Sequence, residues 1–389
     1  MKSINEILDI AKSFKVCSRC LGRSFALVGH GMENQDRGKA LLFAAFSLDL
    51  DGSLVEEDQC SICSGIFSLT DGFVEEIKRL IEPYESSSIL VGSSFSNRIV
   101  EREMEFQKMM GDKGEPIRKE FSRLIGKRIF EETSINFNRK TPDIMIKLNT
   151  DYMSIDLQIK SLLIYGIYRK LIRGIPQTKW IKFSEETRTV ESIIGEPIGK
   201  LSDGTEYVLH GAGREDVDVR MLGNGREFVL EVKNPKKRNL DLAFLKNEIN
   251  SSNMGVEVDD LRYCDKNTVK KIKEEKNVKI YEAKLNIKGK DYLQKVEANL
   301  VELIGKVIYQ RTPLRVSVSR ADLVRERKVL DMSVRLDPDE SIILTIEAEA
   351  GTYIKELISG DGGRTEPSLS GKMGEEIRIE ELDVIKIKR

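Results

Sequence analysis

Hydrophobic and polar positions repeat along this chain with two periods, and the switches between them outline its elements. Apolar residues at Ile4, Leu8, Ile10, Ala11 and Phe14 mark a short amphipathic helix. Val74 to Ile81 and Val100 to Lys127 also read as helices, the second rich in Lys and Arg. Strand-like runs follow at 143–148 and 154–159. An apolar run from Leu162 passes into Tyr168, Arg169, Lys170 and Arg173 before the Gly174-Ile175-Pro176 turn. Next, Gly211-Ala212-Gly213 opens a tight turn, and Arg214, Glu215, Asp216, Asp218 and Arg220 are interleaved with Val217 and Val219. Read as a strand, that alternation puts Asp216, Asp218 and Arg220 on one face. Gly223-Asn224-Gly225 reads as a second turn into a strand over 227–232, so the expected unit is a β-hairpin carrying carboxylates and arginines. A helix is expected over 241–251 and a strand over 277–285. Another strand, over 342–349, turns at Gly351 into a helix, and a last strand or two runs from Ile377 to Ile387.

Charge changes this picture little. Lys and Arg number 63 against 64 Asp and Glu, so the net charge is −1 and any nucleic-acid contact must come from local patches. A charged fraction of 33% with 6% aromatic residues suits a soluble cytosolic enzyme. No apolar run approaches the roughly 18 residues that span a bilayer, and the start, Met1-Lys2-Ser3-Ile4-Asn5-Glu6, lacks the apolar core of a signal peptide. A cytoplasmic protein without membrane contact is expected. At 389 residues it should hold two or three domains.

Four of the 5 cysteines fall in two CxxC pairs, Cys17/Cys20 and Cys60/Cys63. Each pair forms a knuckle that turns both sulfurs towards one point, so the two can present four thiolates tetrahedrally. In a reducing compartment metal ligation is favoured over disulfides, and a closed four-thiolate shell is structural. The alternative is unliganded cysteines or one redox CxxC. Cys264 stands alone, as a small hydrophobe.

Two basic segments are candidate RNA contacts. Arg169, Lys170 and Arg173 lie between Tyr168 and Trp180, a mixture suited to phosphate contact and base stacking, or else a charged solvated edge. Arg311, Arg315, Arg320, Arg325, Arg327 and Lys328 face only Asp322 and Glu326 and form a candidate phosphate track. Lys355, close to the Gly351 turn, is a possible counter-ion for a carboxylate.

These pieces meet in one family. Gly213-Arg214-Glu215-Asp216 resembles the GR-x-D element of pseudouridine synthases, Lys279 to Ala283 their K-x-Y-x-A strand, and Gly351 to Leu357 the GTYIR-x-L segment of the bacterial tRNA pseudouridine-55 synthase, with Lys355 in place of arginine. Glu381-Leu382-Asp383-Val384 is similar to their final strand. With Cys20-Leu21-Gly22-Arg23 and Arg173-Gly174-Ile175-Pro176-Gln177-Thr178, the whole chain most resembles the archaeal and eukaryotic synthase that modifies uridines 54 and 55 of the tRNA TΨC loop. The resemblance implies an α+β fold: a zinc-binding plus THUMP α/β module, then a synthase domain with a mixed, largely antiparallel sheet. The expected domains are 1–70, a four-cysteine metal module; 71–180, a THUMP-like RNA-binding domain; and 181–389, the catalytic domain. It implies three catalytic residues, Asp216 as nucleophile, Tyr281 stacked on the flipped-out uracil or accepting a sugar or base proton, and Lys355 as counter-ion of the nucleophile, with Tyr353, Leu382 and Arg214 at the substrate. RNA contacts would come from Arg169, Lys170, Arg173, Arg320, Arg325 and Arg327. Cys17, Cys20, Cys60 and Cys63 would hold a structural Zn²⁺, with no cofactor for catalysis. The partner would be the TΨC arm of tRNA, met by a monomer with no protein partner. Two other readings compete. Asp218, Glu231 and Lys233 have the spacing of a metal-dependent nuclease, and the RNA-gripping modules without chemistry would make a tRNA-binding chaperone.

Overall fold

A computed structural model describes residues 2–29, 31–179, 187–317 and 321–389, so His30, Trp180 and Arg320 lie outside the described residues. The chain divides into two compact units, Met1–Lys160 and Ser161–Arg389. Among the described residues no helix is long and apolar enough to cross a membrane.

In the first unit, helix Ile4–Ser13 starts on a capping box in which Ser3 and Glu6 satisfy each other's backbone donors. A four-stranded sheet follows. Strand Ser88–Ser94 pairs in parallel with Asn136–Phe137 and with Ile144–Asn149, and the latter pairs antiparallel with Ser154–Ile159. Ile89, Val91, Ile144, Ile146 and Leu148 turn inward from that sheet. Phe121 sits edge-on to Phe67, Phe73 and Phe95 at 5.7–5.8 Å, the favoured aromatic geometry. The helix expected over 100–127 is two, Asn97–Met110 and Ile117–Thr133. Gly111 ends the first in the left-handed region at φ 105°, and Pro116 caps the start of the second.

The second unit is built on a ten-stranded, mostly antiparallel sheet. The order runs Thr365–Glu366, Val307–Arg311, Val324–Leu336, Ser341–Ala348, Val278–Lys288, Ile379–Lys388, Val219–Lys233, Leu162–Lys170 and Val256–Tyr263, with Glu206–Gly211 paired beside Val219–Lys233. Its one parallel pairing among the described residues joins Ile379–Lys388 to Val219–Lys233. The α+β class and the mixed, largely antiparallel sheet are as expected.

Two expectations change. The strand Leu162–Lys170 was grouped with the RNA-binding domain, yet it lies between Val219–Lys233 and Val256–Tyr263 in the second sheet. Both of its faces are covered: Leu162 and Ile164 join the main core, while Leu163 and Tyr165 pack with Val229 and Ile272 on the other side. A strand buried on both faces reads as a continuous apolar run and needs a sheet interior. The units therefore divide between Lys160 and Ser161, not near Trp180.

The hairpin turn at Gly223-Asn224-Gly225 is absent. Val219–Lys233 is one strand of 15 residues with an irregularity at those glycines. Gly223 has φ 58°, and a Cβ there would lie 1.9 Å from the Ile385 carbonyl oxygen. Close approach of the last strand is what demands glycine. Asn224 repairs the interrupted ladder: its side chain donates to Ile387 O at 2.7 Å and accepts from Ile387 N at 2.8 Å. Asp216 and Asp218 are not on a strand; they sit in the irregular loop between Gly211 and Val219.

Candidate active site and metal centre

That loop rims a cavity of about 290 Å³ in the second unit. Its apolar wall is one face of three adjacent strands. Tyr281 pairs with Val384, and Leu382 pairs with both Ala283 and Val219, so Tyr281, Leu382, Val384 and Val219 share a surface. Asp216 faces this surface together with Lys355, Arg315 and Tyr353.

The charges around Asp216 follow from the Gly351 turn. Gly351 has φ 80°, and helix Ile354–Ser359 begins just beyond it. Gln310, fully buried, accepts from Tyr353 N at 2.8 Å and donates to Tyr353 O at 2.9 Å, fixing the residue before the helix. Lys355 in the first helical turn reaches Asp218 at 2.6 Å and Asp216 at 3.6 Å. The shortest cationic contact of Asp216 is Arg315, at 2.8 Å. Buried Glu356, adjacent to Lys355, holds Arg315 Nε at 2.6 Å and aims it. Lys355 thus bridges two aspartates and Arg315 is the closer partner of Asp216. Sequence alone had placed Arg315 only in a basic run. Although burial opposes it, the Lys355 ammonium draws the Asp218 carboxyl below its ordinary value.

Two further side chains on the cavity wall carry altered acidity. Burial pushes the Tyr281 phenol up to about 12, with Arg226 opposing, so it keeps its proton at neutral pH. Burial, aided by Arg226, lowers Lys279 to about 8. Tyr353 lies under Arg325, whose guanidinium is 5.9 Å from the ring centre. Arg214 is exposed at the cavity.

The expected RNA contacts separate. Arg325 and Arg327 flank the cavity on strand Val324–Leu336, and Arg169 is exposed and paired with Glu257 at 2.7 Å. Lys170 cannot touch a phosphate in this fold, because it is 0% exposed and its ammonium is spent on main-chain carbonyls. Arg173 is part-exposed, but its guanidinium is engaged within the protein, by Nη1 with Asp218 O and Leu382 O and by Nη2 with Glu381 and Asp383, each at 2.8 Å. Alternating charge and aromatic residues look alike on an open edge and beneath a loop, and only sheet pairing tells them apart.

The nuclease set is taken apart by strand geometry. Met221 pairs opposite Lys170 and Val232 opposite Leu162. At ~3.3 Å per residue of the partner strand, Met221 and Val232 stand roughly 26 Å apart, so Asp218 and Glu231, near opposite ends, cannot share one metal ion. Glu231 is occupied by His210 at 3.0 Å and Lys233 at 2.6 Å. Burial would raise its pKa, but those hydrogen bonds prevail and bring it from 4.5 to about 2. A depressed carboxylate contributes stability that is complete above pH 4.5 and lost as pH falls through about 2. Urea unfolding of Glu231→Gln is expected to show a destabilisation at pH 7 that shrinks steadily below pH 4.5.

In the first unit the four CxxC sulfurs lie within 4.8 Å of one another, all buried. Cys17 and Cys63 Sγ are 3.6 Å apart and Cys20 and Cys60 Sγ 3.5 Å, close to the ~3.8 Å edge of a tetrahedron with 2.3 Å metal–sulfur bonds. The donor set therefore fits a metal. Arg23, 1% exposed, sits 3.5 Å from Cys20 Sγ and pairs with Glu103 at 3.0 Å and Glu120 at 3.1 Å. Those two carboxylates belong to helices Asn97–Met110 and Ile117–Thr133, so a buried cation ties the thiolate cluster to the helices of the sheet module. Neutralising partners of this kind orient and stabilise a thiolate site.

Residues 163–388 match the family described as Pus10, C-terminal, and residues 73–149 match the archaeal Pus10 THUMP domain. The tRNA pseudouridine synthase Pus10 of Thermoplasma acidophilum is 45% identical over 388 residues, covering 99% of both chains. Its counterparts from Picrophilus torridus and Pyrococcus furiosus are 41% and 39% identical, covering 99% of both chains and 97% and 96%, respectively. The crystal structure of a Cbf5-Nop10-Gar1 complex aligns at TM-score 0.31 and 18% identity over 57% of this chain and 58% of that one, too loosely to bear on the site. With that C-terminal model matching more than half of the chain and full-length relatives well above 30% identity, the chain belongs to the Pus10 family of tRNA pseudouridine synthases.

Proposed function

We propose that the chain converts uridine 55 of tRNA, and also uridine 54, to pseudouridine, using Asp216 as nucleophile. The observation that carries this reading is Asp216 itself: a carboxylate contacting Arg315 at 2.8 Å, on the rim of a cavity whose opposite wall is Tyr281 and Leu382. A flat base resting on such a wall presents its sugar to the carboxylate. Asp216 would attack the sugar C1′, breaking the N1–C1′ bond; the freed base would turn and its C5 would attack C1′, releasing the Asp216 carboxylate, while the C5 proton is lost and N1 takes one up. The base must leave its stack to enter. Tyr281, a phenol that burial keeps protonated, supplies a stacking face, while Leu382 packs beneath. Arg315 and Lys355 set two positive charges beside Asp216, at 2.8 Å and 3.6 Å.

Around this centre the reading assigns tRNA contacts to Arg169, Arg214, Arg325 and Arg327, with Tyr353 lining the substrate site. In the first unit, residues 1–70 carry the metal knuckles and the following sheet module grips the TΨC arm by shape and phosphate. Four buried thiolates favour zinc, held by Cys17, Cys20, Cys60 and Cys63 as a closed structural centre.

The two cations make different predictions. Arg315→Gln removes the nearer counter-ion and leaves buried Glu356 unpaired, so single-turnover pseudouridine formation is expected to fall roughly 100-fold or more. Lys355→Gln is expected to cost about tenfold. Rates of both variants on an unmodified tRNA transcript, measured across pH 5–9, check the order. A larger loss in Lys355→Gln would return the main counter-ion role to lysine.

A further inference from the structure

The loop that carries Asp216 forms neither strand nor helix; beside the main-chain bonds Ala212 N to Glu227 O at 2.9 Å and Val219 N to Asp216 O at 3.1 Å, its carbonyls are held mostly from one neighbouring segment. Lys170 donates to Asp216 O at 3.0 Å, to Val217 O at 3.1 Å and to Ile175 O at 2.8 Å, using all three ammonium donors. Gly174 N reaches Val217 O at 2.9 Å. Arg173 Nη1 spans Asp218 O at 2.9 Å and Leu382 O at 2.7 Å, joining the loop to the strand that forms the apolar wall. Gln177 Nε2 donates to Gly213 O at 3.0 Å and to the Tyr168 hydroxyl at 2.9 Å. That hydroxyl donates to Glu215, which sits 2.8 Å from Arg226 Nε, and Arg226 Nη1 in turn reaches Ala212 O at 2.7 Å.

Five carbonyls of this loop, those of Ala212, Gly213, Asp216, Val217 and Asp218, are thus pinned, four of them from residues 170–177. Lys170 is fully buried and its hydrogen bonds go to dipoles alone. Burying an ammonium so is costly, and burial lowers the Lys170 pKa from its ordinary value although Glu215, Asp218 and Asp216 attract the charge. Its charge therefore lies directly beneath the nucleophile's peptide unit. An oriented nucleophile matters because a displacement of about 1 Å can cost about 10²-fold in rate.

We propose that the Lys170–Gln177 segment is the positioning brace of the catalytic loop, with Lys170 setting Asp216 and Arg173 locking the loop to Leu382, and that neither cation contributes to tRNA affinity. This rests on the reading of Asp216 as nucleophile.

The test uses the full-length protein and an unmodified tRNA transcript. Dissociation constants and single-turnover rates at saturating protein are measured for wild type, Lys170→Met, Arg173→Ala, Arg173→Lys and Asp216→Ala, with rates taken across pH 5–9. The brace predicts rates down roughly 10- to 10³-fold in Lys170→Met and Arg173→Ala, with dissociation constants within about twofold of wild type. Arg173→Lys should recover part of the rate by restoring one donor to the two carbonyls. Should Lys170→Met fail to fold, the partly exposed Arg173 carries the same test. A wild-type rate with a dissociation constant raised tenfold would make these residues RNA contacts and overturn the brace. Turnover retained by Asp216→Ala would instead overturn the nucleophile reading on which it rests.

Discussion

Asp216→Ala is expected to lose pseudouridine formation by roughly 10⁴-fold or more while binding tRNA with wild-type affinity, since a covalent nucleophile has no substitute in the site. Asp218→Ala provides the contrast. Its side chain is 66% exposed and its partner is Lys355, so removing it breaks a solvated ion pair and frees Lys355 to move towards Asp216. A loss of about tenfold or less is expected there. Single-turnover rates of the two variants, with tRNA affinity measured alongside, separate a nucleophile from a neighbouring acid. Equal losses would mean that the two carboxylates work as a pair.

Metal removal is expected to have the second large effect, confined to one unit. The four cysteines belong to the same buried cluster as Leu21, Ile62, Phe67 and Phe121. A structural four-thiolate zinc site contributes on the order of 10 kcal/mol or more of apparent binding energy, comparable with the whole stability of a domain. Stripping it also leaves Arg23, Glu103 and Glu120 buried around an emptied cluster. The Ser161–Arg389 unit has a separate core. Hydrogen exchange after chelation, or in Cys60→Ser, should show lost protection across the helices and sheet of the first unit and unchanged protection in strands 219–233 and 278–288. Affinity for tRNA should fall with it. Full protection of the first unit without metal would contradict the assignment.

Much of this was legible in the chain, and the exceptions have physical causes. CxxC spacing identifies the knuckles because two sulfurs three residues apart can face one ion. The GR-x-D, K-x-Y-x-A and Gly351 to Leu357 motifs mark three separate pieces of one cavity. Periodicity misread two places. Val217 and Val219 alternate with acids as on a strand, yet the loop's carbonyls are satisfied by Lys170, Arg173, Gln177 and Arg226 and not by a ladder. Gly-Asn-Gly is a strong turn signal, but here the glycines admit the last strand's backbone and Asn224 replaces a missing ladder bond. Arg315 was visible only as a charge in a run, because what selects it is Glu356, some forty residues away and buried. Lys170 is the sharpest case. A lysine beside a tyrosine and two arginines looks like a solvent-facing RNA contact, and only the pairing of its strand on both sides shows it to be interior.

As proposed above, the Asp216 cavity isomerises a uridine in tRNA without help from a metal ion. The most direct test incubates the full-length protein with an unmodified tRNA transcript carrying tritium at uracil C5, in EDTA, for wild type and Asp216→Ala. Rejoining the base through C5 must expel that tritium. Release mapped to positions 55 and 54, present in wild type and absent in Asp216→Ala, is the predicted result. Tight tRNA binding with no release from the wild-type protein would contradict the claim and leave a binding protein in its place.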